Sequence, residues 1–475
     1  MSLLDLVLPL LGAMTWAVFV YFVVSNGVQT MLLVGAALEL WRHAQTTWGE
    51  RPERLLGSTA VPSMSVLAPA FNEATTVGES VRALLTLSYP GLEIVLVNDG
   101  STDGTLRVLQ DTFDLVAIHP AFRRRVETQP VRALYRSRAH PGLVVIDKEN
   151  GGKADSLNAG LNFATGELVC AVDADTLIEP DAFLRIVRPF LGRDDVVAAG
   201  APIRVVNGSA VRDGRVVAVR SPRRPLAGIQ AVEYLRAFLF GRLGWNVLGG
   251  NLIVSGAFGM FRREAMLDAG GYLHDTVGED MELIVRLRRR GIGGTTPSRV
   301  TFVPDPIAWT EVPETLAVLG RQRDRWQRGL ADVLWRHRGL FGNPRAGTLG
   351  LFVFPYFVVV ELLGPLIEVV GLLGLAAAIA LDAVNVPFGV LFFLVAYGWG
   401  LILSLAALLL HHATTDDGIP ASDLARQVGW AFLENLGYRQ LTVLWRVRGL
   451  VRYLQRRTDW GTMSRRGFAT VSDPR

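Results

Sequence analysis

Glu93-Ile94-Val95-Leu96-Val97-Asn98-Asp99-Gly100-Ser101-Thr102-Asp103-Gly104 is the stretch on which the fold turns. Glu93 to Val97 is a short apolar, β-branched run and reads as a strand. The Asp-Gly pairs after it read as a turn, and a helix starts at Asp103, the candidate N-cap, and runs toward Leu109. The same strand-then-helix rhythm extends in both directions. Ser65-Val66-Leu67-Ala68-Pro69 is a strand ending in the loop Ala70-Phe71-Asn72-Glu73, and a helical pattern follows through Val77, Val81, Leu84 and Leu85. Leu143–Ile146, Leu168–Val172 and Val196–Ala199 are further strand candidates. Strands alternating with helices predict an α/β domain with a largely parallel sheet covered on both faces. Such sheets bind ligands at the carboxyl ends of their strands. Asp99 and the pair Asp173/Asp175 fall immediately after strands, at those ends.

The flanks are of a different character. Of 475 residues, 50% are hydrophobic and 19% charged, against about 25% charged in an average soluble domain. The apolar excess is concentrated in blocks, which predicts membrane segments. Residues 6–40 are almost uncharged and read as one long tilted helix or two short ones meeting near Asn26-Gly27, since a span needs about 20 residues. Arg42, Arg51 and Arg54 follow and place that side in the cytoplasm. The stretch is too long for the apolar core of a cleavable signal, and no basic leader precedes it. Residues 349–381, interrupted by Gly364-Pro365 and carrying Glu361 and Glu368, and 387–410 are strongly apolar. Acids inside such segments face protein or a water-lined path. Residues 428–444 either span or lie in the interface. Residues 311–346 alternate apolar and basic positions and predict amphipathic interface helices. The basic stretch 201–230 is either a loop near lipid headgroups or a solvated hairpin. Net charge is +4, and only Lys148 and Lys153 are lysines. The single Cys170 excludes an intramolecular disulfide and reads as a buried free thiol; the seven histidines show no metal-ligand spacing.

The chemistry-bearing residues come in order: Val97-Asn98-Asp99-Gly100-Ser101, Asn150-Gly151-Gly152-Lys153-Ala154-Asp155, Asp173-Ala174-Asp175, Gly278-Glu279-Asp280 and Gln322-Arg323-Asp324-Arg325-Trp326. A carboxylate at a strand end, as at Asp99, suits hydrogen bonds from a base or ribose; the same residue equally suits a plain turn. Carboxylates at i and i+2 across a strand end let Asp173 and Asp175 reach one hard cation that bridges phosphates. Glu279-Asp280 opens a helical run, where acids are also favoured electrostatically. Trp326 offers a flat ring for stacking or an interface anchor.

Over residues 60 to 330 this ordered set resembles the processive, inverting family-2 glycosyltransferases that include cellulose, chitin, hyaluronan and bacterial poly-N-acetylglucosamine synthases. The resemblance implies a GT-A domain inserted between transmembrane helices: segment(s) at 1–45, catalytic domain 46–305, interface helices 306–346, membrane region 347–447 and a basic tail 448–475. It implies a nucleotide site with Glu73, Asp99, Lys153, Asp155, Asp173 and Arg325, and a Mg²⁺ or Mn²⁺ ion on Asp173 and Asp175. Asp280 becomes the general base with Glu279 beside it, and Trp326, Gln322, Ser255 and Gly256 border the acceptor. The threonine of the commonest Thr-Glu-Asp variant is replaced by Gly278. Trp460-Gly461-Thr462-Met463 resembles a tail motif of hyaluronan and related synthases. The expected partners are a UDP-sugar, a growing glycan or a lipid acceptor, and the bilayer, with no nucleic acid; the expected place is a bacterial plasma membrane, crossed several times, with the catalytic domain cytoplasmic. Transfer of a single sugar to lipid is the enzymatic alternative, and a transporter or non-catalytic scaffold the remote one.

Overall fold

The computed structural model describes residues 3–47, 51–58, 60–119, 123–173, 176–212, 214–294, 298–305, 307–415 and 419–457. Asp175, Trp460–Met463 and most of the basic tail lie outside the described residues. The chain divides into an α/β unit, Arg42–Arg220 with Asn251–Val312, and a helical unit made of the residues before Arg42, Ser221–Gly250 and those from Pro313 on.

The strands of the α/β unit are β1 (Met64–Ala70), β2 (Glu93–Asp99), β3 (Leu115–Ile118), β4 (Val131–Ser137), β5 (Leu143–Lys148), β6 (Leu168–Val172), β7 (Leu177–Ile178), β8 (Val196–Gly200), β9 (Ile203–Val205), β10 (Ala210–Arg212), β11 (Arg215–Ala218), β12 (Phe258–Arg262), β13 (Arg299–Phe302) and β14 (Ala308–Thr310). Nine of them form one sheet in the order β13-β8-β12-β6-β1-β2-β5-β4-β3. The centre, β6-β1-β2-β5, is parallel. The flanks differ from the largely parallel expectation: β4 runs antiparallel to β5 and β3, and β12 antiparallel to β6 and β8. Both departures have a sequence cause. In β4 the exposed Arg132 and Arg136 break the apolar run that marks a doubly covered strand. In β12 the small residues of Ser255–Gly259 mask a strand that starts at Phe258.

The centre strands are buried along almost their whole length, and helix Lys153–Phe163 packs on them. Gly160 makes that approach close: a Cβ there would meet Leu67 at 3.2 Å and Val97 at 3.5 Å. Leu67, Val97, Ile146, Leu157, Leu161 and Val169 form part of the resulting core. Cys170 is buried and free, and burial pushes its thiol pKa up, as a structural cysteine requires. The 201–230 stretch contains the antiparallel hairpin β10–β11 and then the helix Pro225–Leu235.

In the helical unit, Leu3–Thr47 is one 45-residue helix, so the one-helix alternative holds. Among the described residues two helices are long and apolar enough to cross a membrane, Leu6–Thr47 and Val386–Thr414. A third candidate is the pair Leu349–Leu362 and Gly364–Ala380, bent by 45° at Gly364-Pro365, where proline removes a backbone donor. Residues 428–444 do not form one rod: helices Ala421–Leu433 and Arg439–Leu454 are separated by non-helical Leu436 and Gly437, with Gly437 at φ 87°. The acids of the apolar blocks face protein. Glu368 accepts two hydrogen bonds from Arg439, at 2.8 and 3.1 Å, and Glu361 lies 3.5 Å from Arg446.

Candidate active site

The site is built at the carboxyl ends of β2, β5 and β6. The parallel register pairs Asp99 with Lys148 and Asn98 with Asp147, and it is this register that brings opposite charges together. Lys148 is fully buried, and its ammonium lies 2.6 Å from Asp99 Oδ1 and 2.6 Å from Asp155 Oδ1. Asp99 Oδ1 also accepts the Gly151 N–H (3.0 Å), and Oδ2 accepts the Gly152 N–H (2.8 Å) and the Asn150 side-chain amide (3.2 Å). With Asp99 only 3% exposed, its carboxylate shapes the Asn150–Lys153 turn. Asp155, also 3% exposed, accepts the Gln129 N–H and has His274 Nδ1 at 3.9 Å. Two glycines are required here. Gly100 has φ 64°, and a Cβ on it would lie 2.6 Å from Asn150 N; a Cβ on Gly151 would lie 2.6 Å from the Asp155 carboxyl carbon.

Glu73 is half-buried on the loop after β1, which is tied to the loop after β2. The Glu73 N–H donates to Thr105 Oγ1 (2.9 Å), the Ala74 N–H to Asp103 Oδ2 (3.1 Å), and Asn72 Oδ1 accepts the Thr102 N–H (2.8 Å). Asp103 also accepts the Thr105 N–H (2.9 Å), but the N-cap position of helix Thr105–Phe113 is Gly104, so the helix begins later than expected and Asp103 braces the turn before it. Burial is the largest single influence on Asp103 and opposes its charge, but the hydrogen bonds from Thr105 and Ala74 together outweigh it and hold its pKa below the usual carboxylate value.

Past that turn, Lys153 Nζ lies 2.5 Å from Asp173 Oδ1 and donates to the Gly256 carbonyl at 3.1 Å. Gly256 N–H in turn donates to Asp280 Oδ2 at 3.2 Å. Lys153, Asp173, Gly256 and Asp280 are thus gathered in one place from four separate segments. Burial alone would lower the Lys153 pKa, but Asp173, Glu279 and Asp280 outweigh it and hold the ammonium more strongly protonated than an ordinary lysine. Glu279, buried, and Asp280 occupy the first turn of helix Glu279–Arg290, whose positive end favours them. Ser255 Oγ accepts the Ala257 N–H at 3.3 Å and so stiffens the loop that carries Gly256. Buried Tyr272 has its hydroxyl pKa pushed well up, first by burial and then by Asp280 and Glu279.

Asp173 is a hard oxygen donor that already holds a cationic group, and that chemistry fits Mg²⁺ or Mn²⁺. No cluster of three or more His, Cys, Asp or Glu among the described residues is arranged to hold a metal ion by itself. One or two carboxylates plus substrate phosphate is the usual arrangement for Mg²⁺, and a cation here would be held in that way.

In the helical unit, Gln322, Arg325 and Trp326 lie on helix Leu316–Arg336, which Thr315 caps through the Val318 N–H (3.4 Å). On this helix Leu316 and Trp326 are exposed, Trp326 by 44%. The buried stripe instead includes Arg323, Asp324, Gln327 and Arg328. These are affordable inside because each is paired. Arg323 reaches Glu233 (2.6 Å) and Tyr438 (3.2 Å), and its guanidinium covers the Trp326 ring at 4.4 Å. Asp324 accepts from Arg328, Arg448 and Arg452 at 3.1–3.3 Å.

Sequence reasoning noted Lys148 only as a rarity, gave Asn150 no role beyond its place in the motif, and missed Gln129 and His274 as parts of the site. For Lys148 a signal existed: a lysine at the end of an otherwise apolar strand must find buried acids.

Two family models identify the chain that carries this site as a glycosyltransferase. The chain belongs to glycosyl transferase family group 2, whose model matches residues 168–410, and the model described as glycosyl transferase family 2 matches residues 65–268. It is similar to the poly-beta-1,6-N-acetyl-D-glucosamine synthase of Staphylococcus aureus (strain COL), 26% identical over 301 residues, which take in 63% of this chain and 62% of that protein. To the Staphylococcus epidermidis enzyme of the same name it is 28% identical over 276 residues, 58% of this chain and 56% of that one. Among solved structures, the mannosyltransferase PcManGT of Pyrobaculum calidifontis, in complex with GDP-Man and Mn²⁺, matches 89% of this chain and 99% of its own at TM-score 0.50 and 21% identity, which establishes a shared fold.

Proposed function

We propose that this glycosyltransferase takes a UDP-sugar of the N-acetylhexosamine class and extends a β-linked polysaccharide by inverting, processive transfer coupled to export. The observation that carries the reading is the convergence of the Lys153 ammonium with the Asp173 and Asp280 carboxylates around Gly256. Asp280 takes the proton of the acceptor hydroxyl as its oxygen attacks the anomeric carbon. The new C–O bond forms on the face opposite the breaking bond to diphosphate, and UDP leaves. Lys153 is positioned to stabilise the charge that develops on that leaving group. Asp173 and, from the sequence pattern, Asp175 would hold a Mg²⁺ or Mn²⁺ ion, which would supply further neutralisation when bound. The Asn150–Lys153 turn, with Asp99, Asp155 and Glu73 about it, is the nucleotide side of the site. From the sequence resemblance, Arg325 adds to the diphosphate contact, and Trp326, Gln322 and Ser255 serve the acceptor. The apolar helices and the arginines following the first of them support a multi-pass bacterial plasma-membrane protein with its α/β unit in the cytoplasm.

The test is a donor screen on the purified full chain, reading UDP or GDP release and product masses. A ladder spaced by one N-acetylhexosamine is expected from UDP-N-acetylglucosamine. One sugar on a lipid at every donor concentration would replace the polymer reading with the single-transfer alternative. No nucleotide release from any donor would overturn the proposal.

A further inference from the structure

We propose that Lys148 is a positioning residue: its buried ammonium, clamped between Asp99 and Asp155, holds the Asn150–Lys153 turn in the shape from which Lys153 reaches Asp173. The inference rests on the donor-site reading above and assigns a role to the one lysine that reading leaves unused.

A lysine ammonium has three N–H donors, and here it faces three oxygens: it donates to Asp99 Oδ1 (2.6 Å) and to the Glu149 carbonyl (2.5 Å) and is ion-paired with Asp155 Oδ1 (2.6 Å). The group is fully buried and has no capacity left for a ligand, so any effect on the donor passes through its partners. Those partners lie on different elements. Asp99 ends β2, Lys148 ends β5, and Asp155 lies in the first turn of helix Lys153–Phe163. One ammonium therefore ties two strand ends to a helix start. The chain between them has no slack. Asp99 takes the N–H groups of Gly151 and Gly152, and the latter residue immediately precedes Lys153. Gly152 stands at φ 86°, a conformation that lacks support of its own in a glycine-rich turn and is kept by these hydrogen bonds.

Without the ammonium, Asp99 and Asp155 become two buried carboxylates facing one another across the vacated space. Desolvation and like charge then force protonation of one or movement apart. Either response loosens the hold of Asp99 on Gly151 and Gly152, and Lys153 loses its aim. Lys148 thus acts on the leaving diphosphate at one remove.

The experiment is a double-mutant cycle on UDP affinity with the detergent-solubilised full chain. Lys148→Met should weaken UDP binding by about tenfold or more, the value of one misplaced charge-assisted hydrogen bond. In a Lys153→Met background the same change should cost less than about twofold, because what Lys148 positions is gone. Equal losses in both backgrounds would mean that Lys148 acts on UDP through Asp99 and Asp155 themselves, or as a general support of the fold, and not by aiming Lys153, and would overturn the proposal. Leu109→Ala, a fully buried change on another helix, is the stability control and should lower Tm with UDP affinity unchanged. Lys148→Gln, a neutral donor of similar length, serves if the Met variant does not fold, and failure of both to fold overturns the positioning role. Wild-type protein that does not bind UDP defeats the donor-site reading instead, whereas wild-type binding matched by Lys148→Met defeats this inference alone.

Discussion

Asp280→Asn separates chemistry from binding, and the structure sets both magnitudes. Asp280 Oδ2 accepts the Gly256 N–H at 3.2 Å and Oδ1 accepts the Met281 N–H at 2.7 Å. Asparagine keeps one acceptor oxygen and forfeits the other bond, at a cost of about 0.5–1.5 kcal/mol. Losing an acid from the first turn of helix Glu279–Arg290 costs roughly another 0.3–1 kcal/mol. The folded state should survive such a loss. Lys153 keeps Asp173 at 2.5 Å and Glu279 nearby, so it remains an ammonium and the nucleotide side keeps its shape. The reaction loses its base, which is worth about 10²–10⁴-fold, or roughly 2.7–5.5 kcal/mol of barrier. Titration calorimetry with UDP should therefore give an affinity within about threefold of wild type, while transfer of radiolabelled sugar falls at least about a hundredfold. Collapse of UDP binding, or transfer within about threefold of wild type, would show that Asp280 is not the base.

Chelation with EDTA should abolish transfer and Mg²⁺ or Mn²⁺ should restore it, with Asp173→Asn inactive yet folded by circular dichroism; full activity in chelator would remove the metal role. The pH dependence of stability follows from the raised Lys153 pKa. Because the folded value lies above the unfolded value of about 10.4, the Lys153 ion pair stabilises fully below that value, as long as its carboxylate partners stay ionised, and is lost as pH rises through the folded pKa. Relative to Lys153→Met, wild-type Tm should therefore hold a constant advantage from pH 6 to about 9 and lose it above about 10; an advantage that vanishes on the acid side instead contradicts the assignment. Trp326→Ala should cut polymer yield strongly and leave UDP affinity within about twofold, with Trp326→Phe partly active, since stacking needs only a ring face. Equal loss of UDP affinity would place Trp326 on the donor.

Periodicity and order by themselves determined much of this protein. Central strands buried on both faces must be written as unbroken apolar runs, so β6 is visible with its observed bounds and β1, β2, β5 and β8 to within two residues at either end. The turns after them must carry glycine and acids, so Asp99, Lys153 and Asp173 are visible as well. The long uncharged blocks announce membrane-length helices on composition alone. What the tertiary structure decided is whatever depends on a partner distant in the chain. The antiparallel flank β4 is half-solvated, and β12 offers only Phe258, Met260 and Phe261 behind a run of small residues, so neither shows the unbroken apolar run of a central strand. The charged stripe of helix Leu316–Arg336 reads as solvent-facing, and only its pairing with Glu233, Arg448 and Arg452 makes burial affordable. Lys148 is the sharpest case. Its type and place are plain in the sequence, but its two acids lie 49 residues before it and seven after. Only strand register and the return of the following helix bring three charges within hydrogen-bonding distance, because electrostatic pairing is a property of separation in space and not along the chain.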